Sequence, residues 1–273
     1  MAKRTLTGTF IVLAVYLAIY FSYISFLLPI LTLLLSVMAV VEVFRATKTI
    51  KKPLPFSFSL IFAVVISLLP LPFYKEASFI VFVLSVIYFA FLMVEKSRCK
   101  FNQAISSVFV SLLVVLMFKA IPELRNIENG LYYLTLAVTL CFVTDAAAYL
   151  IGKPFGRHKL APKVSPNKSV EGAVAGVVFA MAFALGLGAL AQHFLSLEIN
   201  YITLLIYAFA ASIVGQFGDL SMSAVKRAAG IKDFSNILPG HGGILDRFDS
   251  HLFAVSFTYI FCILTGGFIG VVR

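Results

Sequence analysis

Residues 6–45 read LTGTFIVLAVYLAIYFSYISFLLPILTLLLSVMAVVEVFR, and the only charged side chains in that run are Glu42 and Arg45. A helix needs roughly 20 residues to cross a hydrocarbon core of about 30 Å. The run is therefore long enough for two spans, and Ser22, Ser25 and Pro29 are the only marks of a turn between them. We expect spans over 6–22 and 25–45. If the turn is absent, one span remains. The same texture continues downstream, with apolar runs at 56–73, 77–95, 104–121, 130–151, 170–193, 200–226 and 250–271 separated by polar or Pro/Gly breaks. The expected fold is all-α, a polytopic integral membrane protein of about nine transmembrane helices.

Composition agrees with that reading. The 273 residues are 61% hydrophobic and 12% charged, with a mean hydropathy of +1.01, whereas soluble domains sit near half apolar and a quarter charged. No length remains for a separate soluble domain. The start, Met1-Ala2-Lys3-Arg4, is charged like a signal peptide, but no small-residue cleavage site follows, so a retained first span is expected. The net charge of +10 is explained by positive-inside bias and anionic lipid headgroups, which sets nucleic acid aside. Placing the N-terminus and every second loop on one side leaves only Lys75, Lys119, Arg125 and Arg273 of the 22 basic residues on the other. That asymmetry predicts a cytoplasmic N-terminus and an outside C-terminus. The expected location is the cell's inner (plasma) membrane, multi-pass. Cys99, Cys141 and Cys262 have no metal or disulfide spacing and read as small membrane hydrophobes.

Polar chemistry is concentrated at the back of the chain. Residues 1–130 read as scaffold helices, with Glu42 a structural group able to snorkel to the interface beside Arg45. Residues 131–273 read as the catalytic region, with cytoplasmic loops at 152–169 and 227–249. Ionisable residues inside spans are costly and are functional-site hypotheses by default. Asp145 lies mid-span, with Tyr149 one turn on. In Gly215-Gln-Phe-Gly-Asp-Leu-Ser-Met-Ser-Ala-Val-Lys226, helical spacing lines Gln216, Asp219, Ser223 and Lys226 along one face. The following loop carries Pro239-Gly240-His241-Gly242-Gly243, whose flexible backbone is suited to turning N–H groups toward an anion. Asp246 and Asp249 stand at i and i+3 near a helix start. Carboxylates beside lysines and a glycine loop, with no cysteine or histidine cluster, suit a hard ion such as Mg²⁺ that brings substrate phosphates with it. The other basic loop ends in Ser165-Pro-Asn167-Lys168-Ser169-Val-Glu171-Gly172, an N-cap candidate, a lysine and a first-turn glutamate at the mouth of a span.

These residues resemble the phosphatidate cytidylyltransferase family, the integral-membrane CDP-diacylglycerol synthases. The resemblance rests on Ser223-x-x-Lys226-Arg227, Lys232-Asp233-x-Ser235, Leu238-Pro-Gly-His241-Gly-Gly-Ile244 and Asp246-Arg247-Phe248-Asp249. It extends upstream to Asp145-x3-Tyr149, Gly152-Lys153-x-Phe155-Gly156-Arg157-His158-Lys159-Leu-Ala-Pro162 and Ser165–Gly172, departing at Val170, where an aromatic is common. It implies that phosphatidic acid and CTP give CDP-diacylglycerol and pyrophosphate with Mg²⁺, in phospholipid biosynthesis. It further implies Asp219 and Asp246 as metal ligands, with Asp249 a third carboxylate. Lys226, Lys232, Arg247 and Lys168 would neutralise phosphates, Asn167 would contact substrate, and His241, Gly242 and Gly243 would meet the phosphates. Ser223 ligates metal or orients Asp219. Asp145 and Glu171 stand at a second cation site or hold Lys168. The site is expected on the cytoplasmic side, open to membrane lipids, in a homodimer. A CTP-dependent polyprenol or lipid kinase is the nearest alternative, and a transporter a more distant one: no repeat relates the halves, and the polar groups lie near span ends rather than at a midplane.

Overall fold

A computed structural model of the chain describes residues 2–68, 101–238, 240 and 242–269. The described elements, in chain order, are helices α1 (Ala2–Tyr20), α2 (Leu27–Ala46), α3 (Pro53–Leu68), α4 (Phe101–Asn126) and α5 (Gly130–Phe155), strands β1 (Lys159–Ala161) and β2 (Ser165–Ser169), and helices α6 (Val170–Leu195), α7 (Tyr201–Ala228) and α8 (Leu245–Thr265). Six of these helices are long and apolar enough to cross a membrane, by length and composition. The chain is all-α and membrane-embedded in character, with one small antiparallel hairpin among the described residues. The expected span at 77–95 lies outside the described residues.

The 6–45 run is two helices. A single 3₁₀ turn, Phe21–Tyr23, ends at Ile24 in an extended conformation, and Pro29 then falls in the first turn of α2. Its missing N–H costs nothing there, because first-turn amides have no partner within the helix.

The fold divides into two compact units. One comprises residues 1–123 and 229–247; the other comprises 124–228 and 248–273. In the first, Val40, Phe44, Phe58, Phe62, Ile66, Val108 and Val115 form an apolar core. A hydroxyl chain, Thr47–Thr49–Ser107, in which Thr49 and Ser107 are buried, fastens the α2–α3 turn to α4.

In the second unit α6 packs through a stripe of small buried residues, Gly172, Gly176, Ala180, Ala184 and Gly188. These recur every fourth position, so they share one face. A methyl added at Gly172 would meet the Ala148 carbonyl, and one at Gly176 the Thr144 carbonyl, both on α5. Small residues are what let two membrane helices approach backbone to backbone. The end of the described chain is tied back too: the Tyr133 hydroxyl accepts N–H bonds from Phe268 and Ile269, both at 3.2 Å.

Two expected boundaries are corrected. The last helix begins at Leu245 rather than 250 and ends at Thr265 rather than 271, so Asp246, Arg247 and Asp249 are helical and the 227–249 loop is only 229–244. It stops where Gly266 and Gly267 take φ of 75° and 81°, values that favour glycine. The 152–169 loop is likewise shortened, because α5 runs on to Phe155 and 159–169 is the hairpin, with Lys159 opposite Ser169 and Ala161 opposite Ser165.

Candidate active site

In the second unit, the expected stripe on α7 is present and faces inward. Ser223 and Lys226 are each 8% exposed, and the Gln216 amide donates to the Ala173 carbonyl at 3.2 Å. Asp219 is held from two directions: the Lys168 ammonium pairs with it from β2, and the Ser223 hydroxyl donates to it at 3.4 Å from one turn on. Ser169, next to Lys168, caps α6 by accepting the Gly172 N–H at 3.2 Å. Glu171 in the first turn turns away from Lys168 and binds His158, accepting its backbone N–H at 3.1 Å and meeting ring Nδ1 at 2.6 Å. Lys168 is therefore placed by the hairpin and the α6 cap, with Asp219 as its counterion. Arg227 adds a bond from Nε to the Val164 carbonyl at 3.3 Å, from the end of α7 to the hairpin turn.

Asp249, 9% exposed on α8, accepts the Ser250 N–H at 2.8 Å. Its carboxylate interacts electrostatically with Asp219 and Asp145, and oppositely with Lys226. The Ser250 hydroxyl donates to Asp145 at 3.4 Å, and a small cavity beside it is lined by Cys141, Asp145, Gln216 and Ser250. Tyr149 stands one helical turn on from Asp145 as expected, and its hydroxyl meets the Lys153 ammonium at 3.3 Å. Lys168, Asp219 and Ser223 thus meet directly, and Asp145 and Lys226 lie close enough to Asp249 to act on it electrostatically.

The first unit holds the glycine loop. Of the amides expected to face an anion, that of Gly243 is taken by the protein's own Asp246, and amides flanking the glycine run are taken by carboxylates too. Asp246 Oδ2 accepts the N–H of Phe234 and of Gly243, both at 2.8 Å. Glu42 accepts the N–H of Ile244 and of Leu245, both at 2.9 Å, and the Ser235 hydroxyl at 2.6 Å. The Leu238 N–H donates to the Gly242 carbonyl and closes the loop. Gly242 needs its glycine, with φ of +80°. Pro239 and His241 lie outside the described residues. Lys232 is exposed, and the Arg247 Nε is buried without a partner among the described residues.

Glu42 is the residue that the sequence reading misplaced. It does not snorkel: it is 0% exposed. The signal was present, a glutamate in an apolar span. Its partners lie some 200 positions away, and nothing local names them.

The donor set fits a Mg²⁺ ion. The carboxylates of Asp145, Asp219 and Asp249 offer only oxygen donors, the type that Mg²⁺ takes. Among the described residues no three His, Cys, Asp or Glu side chains form one metal-holding group. Mg²⁺ is commonly held by one or two carboxylates with substrate phosphates and waters completing its shell, so no protein cage is required.

Residues 2–265 match the family model described as Cytidylyltransferase family. A Bacillus subtilis (strain 168) protein named phosphatidate cytidylyltransferase is 39% identical over 165 residues, and the match covers 60% of this chain and 60% of that protein. A Staphylococcus epidermidis protein of the same name is 35% identical over 182 residues, covering 67% of this chain and 68% of the relative. One from Staphylococcus aureus (strain COL) is 36% identical over 172 residues, covering 63% and 64%.

Proposed function

We propose, from the premise that this chain belongs to the cytidylyltransferase family, that it makes CDP-diacylglycerol and pyrophosphate from phosphatidic acid and CTP, a step of phospholipid biosynthesis. The names of its relatives support the substrate pair. The observation that carries the chemistry is the meeting of Lys168, Asp219, Ser223, Lys226 and Asp249 in one compact unit.

The nucleophile is an oxygen of the lipid phosphate, already ionised at neutral pH. It forms a new bond to the α-phosphorus of CTP as the bond to the pyrophosphate oxygen breaks, and pyrophosphate leaves. No general base is needed. The protein's task is to bring two polyanions together in line and to offset charge on the transferring phosphorus. Lys168, Lys226, Lys232 and Arg247 supply that positive charge. His241, Gly242 and Asn167 contact phosphates, whereas Gly243 leaves room for the Glu42 carboxylate. Asp219 and Asp246 would hold Mg²⁺, with Asp249 as the further carboxylate and Asp145 at a second cation. When bound, the ion would screen the phosphate oxygens from each other. Ser223 orients Asp219.

The sided distribution of lysine and arginine supports placing the site on the cytoplasmic face of the plasma membrane, where CTP arrives from water and the lipid from the inner leaflet. We further propose a homodimer.

The test is turnover of labelled CTP and phosphatidic acid by the purified protein in mixed micelles. Pyrophosphate and a CDP-lipid are the expected products; release of CDP with a phosphorylated lipid would instead establish a kinase. Asp219→Asn is expected to lower turnover by about 100-fold or more. Near wild-type turnover with unchanged Mg²⁺ dependence would sink the metal assignment.

A further inference from the structure

Glu42 lies near the C-terminal end of α2 and is fully buried. A buried carboxylate is costly unless its oxygens are satisfied. Among the described residues no lysine, arginine or histidine pairs with this one. Its partners are three donors from a single distant stretch. Oε1 takes the Ser235 hydroxyl and the Ile244 N–H, and Oε2 takes the Leu245 N–H. Ile244 and Leu245 stand at the N-terminus of α8, where unpaired amides and the positive end of the helix dipole favour an anion. That anion is supplied from a helix about 200 residues earlier in the chain.

The loop is built around this contact. At position 243 a side chain would overlap the Glu42 carboxylate, so glycine is required there for space. Immediately beyond, Asp246 holds the same loop through the N–H groups of Phe234 and Gly243. Two carboxylates thus grip one loop, Glu42 at Ser235 and at 244–245, Asp246 at 234 and 243. If the Glu42 bonds are lost, three donors lose their acceptor and the first turn of α8, which carries Asp246 and Arg247, loses its fixed direction.

We propose that Glu42 is a positioning residue for nucleotidyl transfer: it orients the 234–245 loop and the first turn of α8, and through them the carboxylate of Asp246 and the guanidinium of Arg247. The inference rests on the role given to Asp246 and Arg247 under Proposed function. Glutamine at 42 keeps the shape but turns one acceptor into an NH₂ that faces a donor. Loss of a group that orients a metal ligand typically weakens metal affinity or activity by about 10-fold to 100-fold.

The experiment uses the full chain, purified, with the variants Glu42→Gln and Ser235→Ala. Three readouts are taken on the folded fraction: Mn²⁺ binding by electron paramagnetic resonance, Mg²⁺ dependence of CDP-lipid formation, and the rate of tryptic cleavage after Lys232 and Arg247. For Glu42→Gln we expect Mn²⁺ binding weakened by about 10-fold or more, the Mg²⁺ midpoint raised to match, kcat lowered more than KM for CTP changes, and faster cleavage at the loop. Ser235→Ala, which removes one donor of three, is expected to move each readout the same way by a smaller factor, and it serves if the first variant does not fold. A merely structural glutamate would lower the melting temperature and the yield while leaving Mn²⁺ affinity and kcat per folded molecule as in wild type; that result overturns the inference. Unchanged loop cleavage overturns it as well. If wild-type protein makes no CDP-lipid, the proposed function fails, but accelerated cleavage and weakened Mn²⁺ binding in Glu42→Gln would still uphold the positioning role.

Discussion

Lys168 shows how one side chain gathers its meaning from three elements. The hairpin carries it, the Ser169 cap fixes the turn into α6, and Asp219 receives its charge. Replacing it with methionine keeps the apolar stem and removes the ammonium. We expect kcat/KM to fall roughly 100-fold, with a weaker dependence on salt, measured as CDP-lipid formation across an ionic-strength series; an unchanged value would mean that the ammonium serves only Asp219. At this scale much was legible in advance. Gln216, Asp219, Ser223 and Lys226 share a face because helical spacing alone dictates it, and Ser169 followed by Glu171 marks a helix start. The choice of partner was not legible. Glu171 took His158 because a hairpin folds that backbone over it, and hairpin geometry is not written in the charges.

At the scale of elements, the contact between α5 and α6 depends on absence of volume. Gly176 faces the Thr144 carbonyl, where an added Cβ would stand at 2.9 Å, whereas Gly186 on the same helix has nothing within 4 Å. Gly176→Val is expected to destabilise by about 1–3 kcal/mol through overpacking. Gly186→Ala is expected to be neutral or stabilising by up to about 1 kcal/mol, because glycine is a poor helix former. Thermal unfolding in detergent separates the two; equal losses would show that helix propensity, not packing, dominates this face. The helices themselves were readable from hydropathy, including the break between α1 and α2. The ends were not. Composition suggested a last span from 250, but α8 starts five residues earlier because a carboxylate from α2 caps it, and no local window contains that residue.

For the whole molecule, the chain passes between its two compact units more than once, and residues 229–247 group with residues 1–123. A protein comprising only 124–273 keeps Asp219, Lys168 and Asp249 but loses Glu42. We expect it to be inactive, to be cut rapidly by trypsin after Lys232, and to regain both loop protection and turnover when co-expressed with 1–123; activity in the isolated fragment would show that the front helices are dispensable. The sequence asymmetry that marked the front as scaffold was a matter of where charges are counted. One glutamate among those helices changes what the scaffold does.

The Glu42 contact also sets a timetable. Its partners lie 193 to 203 residues downstream, and at about 5–20 residues per second they leave the ribosome roughly 10 to 40 seconds after α2. Throughout that interval an acidic side chain sits in a nascent apolar helix with none of the donors that will finally hold it. A carboxyl group so placed needs water as its partner until they arrive. Completion of the site is thereby deferred until residues 235–245 have been made, and a chain stalled before residue 235 carries into the bilayer an unclaimed acid that marks it as unfinished.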